Sequence, residues 1–202
     1  MRIGVFSDVH GHLAELNATL ALFAFHQVDE IICAGDLVDK GNASNAVVAT
    51  IREHKIPTVM GNHDQKAMFA WRPELEKLTD PTIDTIRQLP DHLSFNWNGV
   101  SAYLCHSTPW QDASVYVSPS QPKVLFQFIV EAVSESIIIL GHSHHPMHVE
   151  LDGRLILNPG SIYANRNRSE RTCGILSLPQ QRFDLYDIDT GQPLEVERIT
   201  LD

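Results

Sequence analysis

The chain of 202 residues has 43% hydrophobic and 20% charged side chains, enough for one substantial core and too short for two full-sized domains, so residues 1–202 are read as a single domain. Its 25 acidic and 15 basic side chains leave a formal charge of -10, which argues against a binder of long nucleic acid, because the phosphate backbone requires a Lys/Arg-rich face. Cys33, Cys105 and Cys173 are far apart and lack C-x-x-C spacing, so neither a disulfide framework nor a thiolate zinc site is expected. The apolar segment before Ser7 is too short for a signal peptide, and no apolar run is long enough to span a bilayer. The cytoplasm is then the default address, with no membrane partner.

In chain order, residues 2–7 read as a buried strand and 12–26 as a helix, with Leu13, Leu16, Leu20 and Phe23 at helical spacing. The pattern repeats with a strand over 30–34, a helix over 43–54 and a strand over 57–60 that ends at Gly61. Two strand-helix-strand crossovers favour a parallel sheet with helices on its faces. Residues 65–89 read as helix in pieces, broken by Pro73, Pro81 and Pro90, and 65–92 are expected to form a helical, cap-like insertion at a site mouth. Strands over 93–96 and 100–105 form a hairpin across Asn98-Gly99. A helix over 124–134 feeds a strand over 136–140. Strand 147–151 pairs with 154–157 across Asp152-Gly153, and 172–178 with 181–188 close the chain as antiparallel strands.

The polar residues fall at the ends of these strands. Asp8 and His10 follow the first, Asp36 and Asp39 the second, and Asn62, His63 and Asp64 the third; His106 follows the strand ending in Cys105, and His142 with His144 the one ending in Leu140. In open α/β sheets the ligand crevice lies outside the carboxyl ends of the strands, so clusters distant in sequence converge there. The mixture of carboxylate, imidazole and amide oxygen suits borderline divalent metals such as Mn, Fe, Zn, Co or Ni. The D-x-H and H-x-H spacings let alternate residues leaving a strand point to one side. Taken alone, Asp8 with His10 fits an ordinary polar turn and Gly35-Asp36 or Gly61-Asn62 fits turn chemistry; order, placement and ligand type together do not.

The motifs S-D-V-H-G (7–11), G-D-L-V-D (35–39), G-N-H-D (61–64), His106 and G-H-S-H (141–144) occur in the order of a calcineurin-like metallophosphoesterase of the small bacterial and archaeal kind, which the chain resembles. N-P-G-S (158–161) is similar to a loop of the small members. The resemblance implies an α/β sandwich of two mixed β-sheets flanked by helices. It implies two divalent metal ions, one held by Asp8, His10, Asp36 and His144 and the second by Asp36, Asn62, His106 and His142, with Asp36 and a hydroxide bridging them. His63 would serve as general acid, and Asp39 would orient it. The implied reaction is hydrolysis of a phosphodiester or phosphomonoester in a small phosphorylated substrate, nucleotide-like molecules included. A non-catalytic scaffold of the same architecture is the competing reading.

Departures from the pattern bear on substrate. Protein serine/threonine phosphatases of the superfamily carry Arg after G-D-x-x-D and have G-N-H-E; here Lys40 and Asp64 stand instead, which argues against that activity. Cys105-His106-Ser107 replaces the usual glycines around the histidine. His145 and His148 match no motif, and His12, His26, His54 and His92 read as surface or loop residues. Specificity is expected from residues 65–89, with Trp71 and Arg72, and from 107–122, with Trp110. Lys40, Arg166 and Arg168 are candidate phosphate contacts.

Overall fold

The computed structural model describes residues 1–39, 41–69, 77–164 and 170–201. Strand β1 (Arg2–Phe6) leads through a short loop into α1 (Leu13–Phe25), then β2 (Glu30–Cys33), α2 (Ser44–Glu53), α3 (Asn62–Phe69) and α4 (Asp80–Arg87). The second half contains β3 (His92–Trp97), β4 (Val100–Cys105), α5 (Lys123–Ala132), β5 (Ile137–Ile139), β6 (Met147–Leu151), β7 (Arg154–Asn158), β8 (Thr172–Ser177), β9 (Arg182–Asp187), β10 (Pro193–Leu194) and β11 (Arg198–Leu201). These strands make two mixed sheets, of order β10-β9-β8-β1-β2 and β11-β6-β7-β5-β4-β3.

The alternation of side chains along each strand explains the layering. Ile3 and Val5 of β1 pack between the sheets with Ile32, Leu104, Ile137, Ile139, Leu157, Leu176 and Leu185. Phe6 faces the other way, into a core with Leu16, Phe23, Val47, Ile51 and Ile86 from α1, α2 and α4. Gly4 shares that outer face because a Cβ there would stand 2.8 Å from the Phe23 ring. On the far side Ile138, Val149 and Ile156 pack under Phe126, Ile129 and Val130 of α5. The three consecutive isoleucines of β5 are all fully buried, as a strand covered on both faces requires.

Both expected hairpins form: Asn98-Gly99 and Asp152-Gly153 each have positive φ at both positions, the geometry that matches strand twist. Within the first sheet parallel pairing is confined to β1 and β2, because β8 pairs antiparallel on the other side of β1; in the second sheet β5 pairs in parallel with both β4 and β7. The strand expected over 57–60 reduces to one parallel bridge between Cys33 and Thr58. Helix α3 begins at Asn62, directly after Gly61, rather than at Gln65. The chain also runs on past 188 into β10 and β11, and β11 returns to pair in parallel with β6; four residues of mixed polarity gave that strand little sequence signal. Helix α4 sits against α2, where Asn45 accepts hydrogen bonds from the Thr79 N–H and the Thr82 hydroxyl. All three cysteines are free and buried. Among the described residues no helix is long and apolar enough to cross a membrane.

Candidate metal centre

The loops after β1 and β2 are zipped together through backbone bonds. Asp8 N donates to Gly35 O, Val9 and His10 N both donate to Asp36 O, and Gly11 N donates to Leu37 O, at 2.8 to 3.0 Å. Asp64 ties the second loop to the start of α3. Fully buried, it accepts from Leu37 N and Val38 N on Oδ1 and from Asp36 N and Gly61 N on Oδ2, at 2.8 to 3.1 Å. Asp36 Oδ1 in turn accepts the His63 N–H at 2.8 Å, satisfying one of the donors that a helix start leaves open. Gly61 is required by this closeness, since a Cβ there would stand 2.0 Å from Asp36 Oδ1.

Asp8, His10, Asp36, His142 and His144 all have positive φ, between 48° and 65°. That corrects the strand-alternation argument: the paired side chains of D-x-H and H-x-H are aimed by left-handed backbone after the strands have ended. Asp and His tolerate this region better than most side chains, at a cost of roughly 1–3 kcal/mol each that surrounding structure must offset. The loop at 158–161 contributes to that restraint. Asn158 donates to Gly141 O at 2.7 Å and to Ser143 Oγ at 3.2 Å, while the Ser161 hydroxyl donates to Asp8 O at 3.0 Å.

Side-chain atoms of Asp8, His10 and His144 lie within 4.8 Å of one another, as do those of His10, Asp36 and His63 and those of Asp8, Asp36 and His106. His144 Nε2 is 3.1 Å from Asp8 Oδ1 and 3.2 Å from His10 Nε2. His106 Nδ1 donates to Ala34 O at 2.6 Å. Its Nε2 points at Asp36 Oδ2, 3.3 Å away, and at Asn62 Oδ1, 3.2 Å away. His142 stands at the edge, its ring centroid 5.2 Å from that of His106 and its Nε2 tied to Ala113 O at 3.0 Å. That bond leaves Nδ1 as the nitrogen available to a ligand, the arrangement in which a second-shell carbonyl orients an imidazole. His142 belongs to none of the three close sets. Asp39 Oδ2 lies 2.6 Å from His63 Nδ1.

The electrostatics suit a cation. Burial alone would raise the pKa of Asp8 and Asp36, yet His144 beside the first and His106 beside the second hold both carboxyls well below the usual carboxylate range. Burial lowers His10 and His142 to about 4, so both are neutral and carry a free lone pair at neutral pH. His106 behaves oppositely: burial opposes its charge, but Asp36 and Asp8 raise it to about 10. Burial and the neighbouring Asp36 push Asp64 up to about 7, against the lowering effect of the Gly61 and Val38 N–H groups. Two imidazole nitrogens facing each other at 3.2 Å amid buried carboxylates form a donor set that fits Mn, Fe, Zn, Co or Ni.

Several features were not read from the sequence. The bracketing role of Asp64 is one; its signal in the sequence is an acid in the first turn of a helix, next to N–H groups in need of acceptors. Tyr116 stacks on His142 with centroids 4.4 Å apart, and Tyr163 stacks on His12 at 4.3 Å; neither had any sequence signal. Trp110 is 44% exposed. Trp97 is buried between the sheets, its Nε1 donating to Glu30. Lys40, Trp71, Arg72, Arg166 and Arg168 lie outside the described residues.

Residues 1–181 match the family model of the calcineurin-like phosphoesterase superfamily domain. The chain is 26% identical over 186 residues to the protein MJ0912 of Methanocaldococcus jannaschii, covering 82% of this chain and 72% of that one. It is 23% identical over 167 residues to the phosphodiesterase MJ0936 of the same organism, covering 79% and 83%. The crystal structure of a metallophosphoesterase from Sphaerobacter thermophilus superposes with a TM-score of 0.74 at 22% identity, over 98% of this chain and 89% of that one. Because the family model covers residues 1–181, through all five strand-end clusters, the chain belongs to the calcineurin-like phosphoesterase superfamily.

Proposed function

We propose that the protein hydrolyses a phosphodiester or phosphomonoester bond in a small molecule, with two divalent cations held by its strand-end loops. One observation carries the reading: acidic and imidazole donors from strand ends far apart in sequence form three overlapping sets that share Asp8, His10 and Asp36, in a chain of a phosphoesterase superfamily. Asp8, His10, Asp36 and His144 would hold one ion, and Asp36, Asn62, His106 and His142 the other. When bound, such ions supply hydroxide near neutral pH and offset the charge that develops on phosphoryl oxygens.

The chain's own groups supply positioning and proton transfer. His63 lines a cavity of about 390 Å³ together with His10, Asp36, Tyr116, His142 and His144, a size that suits a small phosphorylated substrate, nucleotide-like molecules included. Asp39 engages Nδ1 of His63, so the opposite nitrogen is the one free to hydrogen-bond a phosphoryl oxygen or pass a proton to the leaving oxygen. The buried free thiols suit a reducing compartment, in line with a cytoplasmic address.

The test is metal analysis combined with turnover of bis-p-nitrophenyl phosphate and p-nitrophenyl phosphate. Metal-dependent hydrolysis of at least one is expected. A metal-loaded protein inactive on both, and on a panel of nucleotides, would overturn the enzymatic reading in favour of a scaffold.

A further inference from the structure

The cavity beside the metal-ligand candidates has one aromatic wall that neither metal binding nor core packing explains. Tyr116 is 57% exposed, although one face of its ring lies on the His142 imidazole at a centroid distance of 4.4 Å and an interplanar angle of 23°. With that face covered, the exposed area is the opposite face and the ring edge. The ring is not on a loose tether: the Gln121 side-chain amide donates to the Tyr116 carbonyl at 3.1 Å. Three residues earlier in the same loop, the Ala113 carbonyl is bonded to His142 Nε2. An exposed ring lining the cavity offers apolar area that a ligand can cover, and a pre-ordered ring loses little entropy when it binds.

We propose that Tyr116 is a specificity-determining residue: its open face stacks the organic group of the phosphoester, which is therefore planar and π-bearing, an aryl or nucleoside group rather than an alkyl chain. The inference rests on the phosphoesterase reading of the same site. Ser118, Gln121 and His145 line the cavity on this side and offer hydrogen bonds at the rim of a stacked ring, whereas Tyr116 supplies the surface common to every planar group. Stacking of this kind tolerates many rings, because each presents a π-face.

The test compares phenyl phosphate with butyl phosphate on metal-loaded protein, for wild type, Tyr116→Phe and Tyr116→Leu, with metal content measured for each. Beside the kcat advantage that its better leaving group brings in every variant, a KM advantage for the aryl ester is expected in the wild type. Tyr116→Phe should keep it, and Tyr116→Leu should reduce it about fivefold or more. A KM advantage that survives Tyr116→Leu, or losses on both esters in parallel with metal, would overturn the proposal and leave Tyr116 as a prop for His142. Binding of the non-hydrolysable phenylphosphonate and butylphosphonate, by calorimetry, separates this outcome from failure of the enzymatic reading. Tyr116-dependent preference for phenylphosphonate without turnover of either ester would sustain the stacking site and reject hydrolysis. Equal binding of both phosphonates would reject the stacking site, whatever the turnover.

Discussion

Asp39 Oδ2 lies 2.6 Å from Nδ1 of His63, and His63 itself begins α3 with its N–H bonded to Asp36 Oδ1. One carboxylate thus fixes the ring of His63 and another fixes its backbone. If His63 delivers the proton to the leaving oxygen, His63→Ala should lower kcat by about 10² or more on alkyl esters, and by less on p-nitrophenyl esters, whose leaving group needs little protonation. Both metals should stay bound. Asp39→Asn keeps the shape and removes the charge, so its loss in kcat should be smaller and follow the same ordering of leaving groups. Steady-state kinetics with both ester types, beside metal analysis, checks this; metal loss in His63→Ala would make His63 a ligand instead.

Asp36 links the His63 and His106 sides of the centre, standing in one donor set with each. Asp36→Ala should lower metal occupancy itself, measured by elemental analysis after gel filtration. Activity should disappear with the metal and stay absent at millimolar metal. Retained stoichiometry would remove Asp36 from its bridging role.

Asp64 accepts four backbone N–H groups while fully buried. In Asp64→Asn the amide nitrogen must face two of those donors, leaving buried groups unsatisfied at about 1–3 kcal/mol each. We expect a loss of about 2–4 kcal/mol in denaturant unfolding of the metal-free protein, together with weaker metal binding, because the loop that carries Asp36 is released. A change below about 0.5 kcal/mol, the usual range for surface substitutions, would show that the bracket is dispensable.

The pH dependence of the metal-free protein follows from His10 and His142. Burial lowers both from 6.5 to about 4, so between those values the unfolded chain binds protons that the folded chain does not. Stability therefore falls as pH falls through that window. His106, raised to about 10, acts at the other end: its contribution is complete below pH 6.5 and is lost as pH rises towards 10. Asp64, raised to about 7, gains stability on acidification over the same range, but the two imidazoles outweigh it, so thermal unfolding in chelator should show a falling midpoint from pH 6.5 to 4.5, with a flatter profile in His142→Gln. An acid limb unchanged by His142→Gln would contradict this account.

Legibility differed with the range of the interaction. The placement of residues 8, 10, 36, 106 and 144 was readable as far as each follows a short apolar strand; that the ends of strands from two different sheets meet was not. The hairpins at Asn98-Gly99 and Asp152-Gly153 were readable because positive φ at two successive positions restricts the choice of residue. Residues 57–60 form no ladder despite their apolar run, because such a run records burial rather than pairing; Val59 is buried between the sheets with one bridge beside it. The start of α3 was placed too late because its first turn is stabilised by Asp36 and Asp64 from outside the local pattern.

From the sequence alone come the donor types, their order along the chain and the family resemblance, because a metal site needs particular atoms and the strand pattern says where those atoms emerge. Tertiary structure decided how the atoms meet. The left-handed backbone of the ligand loops, the Asp64 bracket, the Ala113 carbonyl on His142 and the open face of Tyr116 all depend on contacts between segments 25 or more residues apart or on backbone dihedrals, and neither leaves a periodic trace in the sequence.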